Sequence, residues 1–184
     1  MKQLAIALAL AGTCALSLTA GPAHAVTLET YEAKMEATDA AAMARSDMID
    51  AFGTTDLKPG KYLWRDVPAD AGAERVVVSL GDQLAYLYRG NTLMAVATIS
   101  SGKAGHDTPT GIFSVQEKKE LHHSRKYDNA PMPFMQRIDQ YGIALHAGFN
   151  PGQPASHGCV RLPKEFAKKL YKTTEVGTPI YIGS

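Results

Sequence analysis

The stretch ASHGCVRLP, residues 155–163, places a thiol among polar company: Ser156, His157 and Gly158 precede Cys159, and Arg161 follows two positions later. Upstream, His146 ends the run GIALH and is followed by Ala147 and Gly148. A cysteine nucleophile needs a base for its proton, a partner that orients the base, and donors for the developing oxyanion. His146 is the candidate base; its alternative is a surface histidine at a strand end. Gly158 permits a backbone conformation that other residues resist, which would aim successive amides at one point as an oxyanion hole. Ser156 and His157 either line that pocket or steady the turn. If the segment is extended, Cys159 and Arg161 share a face. A guanidinium there suits a bidentate grip on a substrate carboxylate, the alternative being a surface salt bridge.

Two other chemistries use the same residue types. His146, His157 and Cys159 are all zinc-ligand types, but their spacing matches no common zinc pattern. A papain-like protease would place its cysteine well before its histidine, and here the histidine comes first.

The chain has two cysteines, and the first lies in MKQLAIALALAGTCALSLTAGPAHA. That segment has one basic residue (Lys2), an apolar run from about Leu4 to Leu18, a Gly-Pro break, and small residues at Ala23 and Ala25. It reads as a secretory signal over residues 1–25, and the run is short for a membrane span. Cleavage would remove Cys14 and leave Cys159 alone in an oxidising compartment, where an unpaired thiol is a liability unless used. A buried cysteine acting as a small hydrophobe is the bland alternative, and its polar neighbours weigh against it. Loss of Lys2 leaves basic and acidic side chains in balance, which argues against a nucleic-acid partner or a membrane-surface role. No later stretch is apolar enough to span a bilayer.

These residues need a scaffold. Residues 29–52 lack Gly and Pro and predict a helix, with Tyr31, Met35, Ile49 and Phe52 on a shared apolar side. We expect residues 26–57 to form an N-terminal helical arm. After a Pro- and Gly-containing loop, RVVVSL, LAYLYR and TLMAVATIS predict a meander turning at GDQ and at Gly90-Asn91. GIFSV, GIALH and TPIYI predict further short strands, and PKEFAKKLY a helix with Pro163 in its first turn and Phe166 and Leu170 on one face. The expected fold is mostly β, a sandwich or barrel with a helix on its edge. The polar, Pro-containing run of residues 118–135 is long enough to act as a lid.

Taken together, IALHAGFNPGQPASHGCVRLP resembles the signature of the L,D-transpeptidase catalytic domain, or YkuD family: a histidine, a spacer, then Ser/Thr-His-Gly-Cys and an arginine two residues on. VVVSLGDQLAYLYRGN, ISSGKAGHDTPTGIFSV and NAPMPFMQRIDQYGIALHAG are similar to the same family. The resemblance covers about Lys58 to Ile182, so residues 58–184 are expected to be the catalytic domain.

The resemblance implies a mostly β, sandwich-like domain acting on peptidoglycan stem peptides outside the cytoplasm, in the periplasm or cell envelope, without a cofactor or metal. Cys159 would attack the bond between the third residue of a tetrapeptide stem and its terminal D-Ala, form a thioester, and pass the acyl group to an amine. His146 would be the base, Ser156, His157 and Gly158 would shape the oxyanion site, and Arg161 would hold a stem carboxylate. Water as acceptor would make the protein an L,D-carboxypeptidase; a degenerate site would make it a wall-binding module. Two features depart from the family pattern. The spacer after His146 is shorter than in many members. Ala147 stands where some members have Ser, so the acceptor that orients His146 is expected to be a backbone carbonyl, of Ala147 or Gly148.

Overall fold

A computed structural model describes residues 27–184; the expected signal peptide lies outside them. The described residues begin with a short strand β1 (Thr27–Leu28) and a long helix α1 (Tyr31–Phe52), capped by the Thr30 side chain at its start and by left-handed Gly53 at its end. Strands β2 (Tyr62–Trp64), β3 (Glu74–Ser79), β4 (Leu84–Arg89), β5 (Thr92–Thr98) and β6 (Gly111–Ser114) follow. Next come β7 (Glu117–Lys119), β8 (Met135–Arg137), β9 (Ala144–Ala147) and β10 (Val160–Leu162), then helix α2 (Lys164–Thr173) and β11 (Pro179–Gly183).

The strands form two sheets. A seven-stranded sheet runs β1-β6-β11-β3-β4-β5-β2, and a four-stranded sheet runs β10-β9-β8-β7. The meander β3-β4-β5 has the expected turns, with a bulge after Leu87. Between the sheets lie Val76, Val78, Ala85, Leu87, Ala95 and Phe113 from the large sheet and Leu145, Ala147, Val160 and Leu162 from the small one. Helix α2 adds Phe166 and Leu170 to this core, and the Phe166 ring meets Tyr62 and Trp64 of β2. Pro163 sits at the N-cap of α2, one position before the first turn.

The other face of the large sheet is covered by α1, packed on Val77, Tyr86, Tyr88 and Val96. Burial on both faces explains why β3 to β5 read as near-continuous apolar runs rather than strict alternation. The helix meets the sheet through Ala33, Ala37, Ala41, Ala44 and Met48. This corrects the expected apolar side: Tyr31, Met35 and Ile49 are exposed, Tyr31 at 74%. Small side chains let the helix lie close to the sheet, so burial is set by an alanine stripe rather than by the largest residues. A Cβ on Gly183 of β11 would lie 2.5 Å from the Ala37 carbonyl oxygen, a measure of that closeness. Among the described residues no helix is long and apolar enough to cross a membrane.

Ala44→Leu should therefore overpack the helix–sheet seam and lower unfolding stability by about 1–3 kcal/mol. Met43→Ala, one residue away but 68% exposed, should change it by less than about 0.5 kcal/mol. Urea unfolding of both variants checks the assignment of the buried stripe.

Candidate active site

Strands β9 and β10 pair in parallel, with Leu145 opposite Val160, His146 opposite Arg161, and Ala147 opposite Leu162. Side chains alternate across a strand. Because Leu145, Ala147, Val160 and Leu162 enter the inter-sheet core, Ala144, His146 and Arg161 point to the opposite face. Cys159, just before β10, packs there against Met132, Met135 and Ala144. His146, Cys159 and Arg161 all line one cavity of about 960 Å³ on this face. The extended geometry expected for Cys159 to Arg161 is present.

The turn before Cys159 is held from within and from without. Ser156 Oγ donates to the Cys159 carbonyl at 2.5 Å and accepts from the Gly158 amide at 3.0 Å. Gly158 has φ 112°, and a Cβ there would lie 2.6 Å from Ile143 Cδ1. Its carbonyl accepts from Thr108 Oγ1 at 2.8 Å, and that hydroxyl accepts from the Gly102 amide. Ser100 exchanges both backbone hydrogen bonds with Arg161, and the Ser156 amide donates to the Ser101 carbonyl. The segment following β5 thus splints the cysteine turn along its length. Thr108 belongs to the TPTG run, whose contribution the sequence left unspecified. The Gly158 amide is engaged by Ser156 within the turn.

His146 is 7% exposed, and its Nδ1 lies 2.9 Å from the Ala147 carbonyl oxygen. A carbonyl only accepts, so the proton sits on Nδ1 and Nε2 carries the lone pair. Of the two carbonyls expected from sequence, Ala147 fills the role. Gly148 serves differently: a Cβ there would lie 3.0 Å from Arg161 Cγ, so its absence admits the arginine stem. Among the described residues Arg161 makes no ion pair, in contrast to Arg137, which is bound to Glu117. The short spacer after His146 is pinned to the sheet end, with Asn150 donating to Thr98 Oγ1 and Ser100 donating to the Gln153 carbonyl.

Residues 73–182 match the family described as YkuD, L,D-transpeptidase catalytic domain. The chain belongs to this family. It is 27% identical over 137 residues to the probable L,D-transpeptidase YbiS of Escherichia coli K12, an alignment that covers 60% of this chain and 45% of that protein. The chain therefore spans under half the length of that curated relative. An L,D-transpeptidase of Mycobacterium tuberculosis H37Rv superposes with a TM-score of 0.57 at 19% identity, over 61% of this chain and 58% of the other. The L,D-transpeptidase of Stackebrandtia nassauensis gives 0.56 at 24% identity, over 65% and 58%. At these identities the likeness concerns the fold.

In this L,D-transpeptidase domain burial governs the candidate pair. It lowers the His146 pKa to about 4, opposed by the hydrogen bond to the Ala147 carbonyl and helped by the Arg161 charge. Burial also raises the Cys159 pKa; the Ala144 amide and Arg161 pull it down, while Asp139 pushes it up. Both shifts favour the uncharged forms, so the resting pair is a thiol and a neutral imidazole rather than a thiolate and an imidazolium.

His157 is held apart from His146 and Cys159. Its ring stacks on Tyr127, with centroids 4.3 Å apart and planes at 18°, and it meets His106 edge-on at 4.7 Å. Tyr127 belongs to the loop of residues 120–134, which joins β7 to β8 and lines the cavity. The expected lid is thus a long hairpin loop anchored at both ends, with His157 tied to it. Sequence reasoning missed that contact, since nothing in either segment signals the other. The zinc alternative required His146, His157 and Cys159 to converge, and among the described residues no three potential ligands do so.

Iodoacetamide modification of Cys159 should accelerate through the alkaline range with a midpoint above the ordinary thiol value of about 8.5. A rate that is level from pH 5 to 8 would instead indicate an ion pair. Gly158→Ala should slow any Cys159-dependent turnover by at least about tenfold, because it combines a positive φ with a clash on Ile143. Steady-state rates beside a thermal melt check this.

Proposed function

We propose that this chain is an exported L,D-transpeptidase that works on peptidoglycan in the periplasm, with Cys159 as nucleophile and His146 as base. The observation that carries the reading is the shared face of β9 and β10: a histidine whose Nδ1 is held by a carbonyl, a cysteine, and an unpaired arginine, all in one cavity. Nε2 of His146 takes the thiol proton as Sγ attacks the carbonyl carbon of the third stem residue. The carbon–nitrogen bond to D-Ala breaks, and His146 returns the proton to the leaving amine. A thioester remains on Cys159. An acceptor amine then attacks it and gives its proton to His146, which passes it to the departing sulfur, so that the C–S bond breaks and the thiol and neutral imidazole are restored.

A neutral pair suits this sequence, because the base must be unprotonated when the substrate arrives and the thiol needs a proton acceptor only during attack. The amides of His157 and Cys159 are the proposed donors to the oxyanion, given that Gly158 is engaged by Ser156. Arg161 is the proposed partner of a stem carboxylate. The loop of residues 120–134 is the proposed lid; shielding the thioester from water favours transfer over hydrolysis. No step calls for a cofactor.

Mass spectrometry of a purified disaccharide-tetrapeptide incubated with residues 26–184 and with the Cys159→Ala variant tests the proposal. The expected result is loss of D-Ala and a cross-linked dimer, both abolished by Cys159→Ala. Free tripeptide without dimer would replace transpeptidase with L,D-carboxypeptidase. No reaction from folded protein would favour a wall-binding module.

A further inference from the structure

Between β8 and β9 the chain makes a tight turn over residues 139–143, and one side chain organises it. Asp139 is 3% exposed. Its Oδ1 accepts from the amides of Tyr141, Gly142 and Ile143 at 2.9, 2.8 and 2.8 Å. Its own carbonyl accepts from Arg137 Nη1 at 2.6 Å, and the Ile138 amide closes the turn onto the Ile143 carbonyl. A buried carboxylate that gathers three consecutive amides is a rigid anchor, because removing it would orphan all three donors at once.

The turn meets the cysteine at two points and the glycine before it at a third. The Gly142 carbonyl oxygen is 3.8 Å from Cys159 Sγ and accepts the thiol proton. The Ala144 amide, at the end of the turn, stabilises the sulfur when charged. The Ile143 side chain fills the space that Gly158 leaves empty. Gly142 itself has φ 97°, a conformation the three amide contacts hold in place.

We propose that Asp139 is a positioning residue for Cys159, fixing the turn that presents one acceptor and one donor to the sulfur. This rests on the reading of Cys159 as the nucleophile. The Asp139 charge also contributes: it opposes ionisation of the thiol, as burial does, whereas Arg161 on β10 and the Ala144 amide on β9 favour it. The other charged or histidine side chains around the cavity are His146 on β9, His157 in the cysteine turn, Glu117 and Lys119 on β7, Arg137 on β8, and His122, Arg125, Lys126 and Asp128 on the loop over it, with the phenols of Tyr127 and Tyr141 beside them.

Two substitutions separate position from charge. Asp139→Asn keeps an oxygen that accepts three amides and removes the charge; Asp139→Ala removes both. In Asp139→Ala, iodoacetamide modification of Cys159 at pH 7 should change by at least about threefold as the turn loses its anchor, and Asp139→Asn should recover most of the wild-type rate. Asp139→Ala should lower kcat by about tenfold with KM changed less, and Asp139→Asn should recover most of that loss. A native melt of Asp139→Ala with an unchanged alkylation profile would overturn the proposal, as would wild-type kcat in Asp139→Ala. The alkylation arm needs no substrate, so it decides the proposal even if the wild-type chain transfers no stem peptide. Should both Asp139 variants fail to fold, Gly142→Ala serves in their place, since a Cβ there meets no atom within 4 Å. It should change the alkylation rate at pH 7 by at least about twofold through the displaced carbonyl, and an unchanged rate would overturn the proposal.

Discussion

The parallel pairing of β9 with β10 is the constraint on which the rest of the site depends. His146 and Arg161 are opposite one another because of that register, and Cys159 joins them because it lies two residues before Arg161. A slip of one residue in either strand would turn its site side chains into the inter-sheet core. The register is secured from the far face, where Leu145, Ala147, Val160 and Leu162 pack into the core. Hydrophobic burial on one face thus fixes polar geometry on the other.

The loops follow from the same pairing. A parallel connection cannot be a tight hairpin, so the chain from β9 to β10 must cross over, and its short spacer does so pinned to Thr98 and Ser100. The cysteine turn then depends on contacts from distant sequence: Thr108 on the Gly158 carbonyl, Ser100 beside Arg161, and Ser101 on the Ser156 amide. Ser156 holds this turn through its hydroxyl. The electrostatics are set by the same enclosure. A cavity deep enough to bury His146 and crowd Cys159 disfavours charge on both, while the unpaired Arg161 guanidinium favours a thiolate and opposes an imidazolium.

Family membership and two-sheet architecture make this chain one of the L,D-transpeptidase catalytic domains, and the proposed chemistry is built on residues that the family signature brackets. Its particular features lie around that signature. Helix α1 closes the large sheet through alanines, leaving Tyr31, Met35 and Met43 exposed on its outer side. The loop of residues 120–134 is attached to the signature through His157 and Tyr127.

Much of this was legible in the sequence because local rules carried it. Strand alternation and the Gly90-Asn91 turn gave the meander, the apolar face of PKEFAKKLY gave α2, and the spacing of His146, Ser156, Gly158, Cys159 and Arg161 gave the candidate site. The orientation of His146 by a backbone carbonyl was also readable, since Ala147 offers no side-chain acceptor. Other features required the folded chain. The apolar side of α1 was misread because side-chain size suggests burial, whereas the spacing between helix and sheet selects alanine. The use of Gly158 N–H by Ser156, the Thr108 splint, the His157–Tyr127 stack and the Asp139 anchor all join groups that composition and periodicity treat as independent. The sequence determined which residue types stood near the chemistry. Only tertiary structure decided which of them face the cavity and which are engaged elsewhere, because each hydrogen bond and each buried contact is a choice among partners that are distant along the chain.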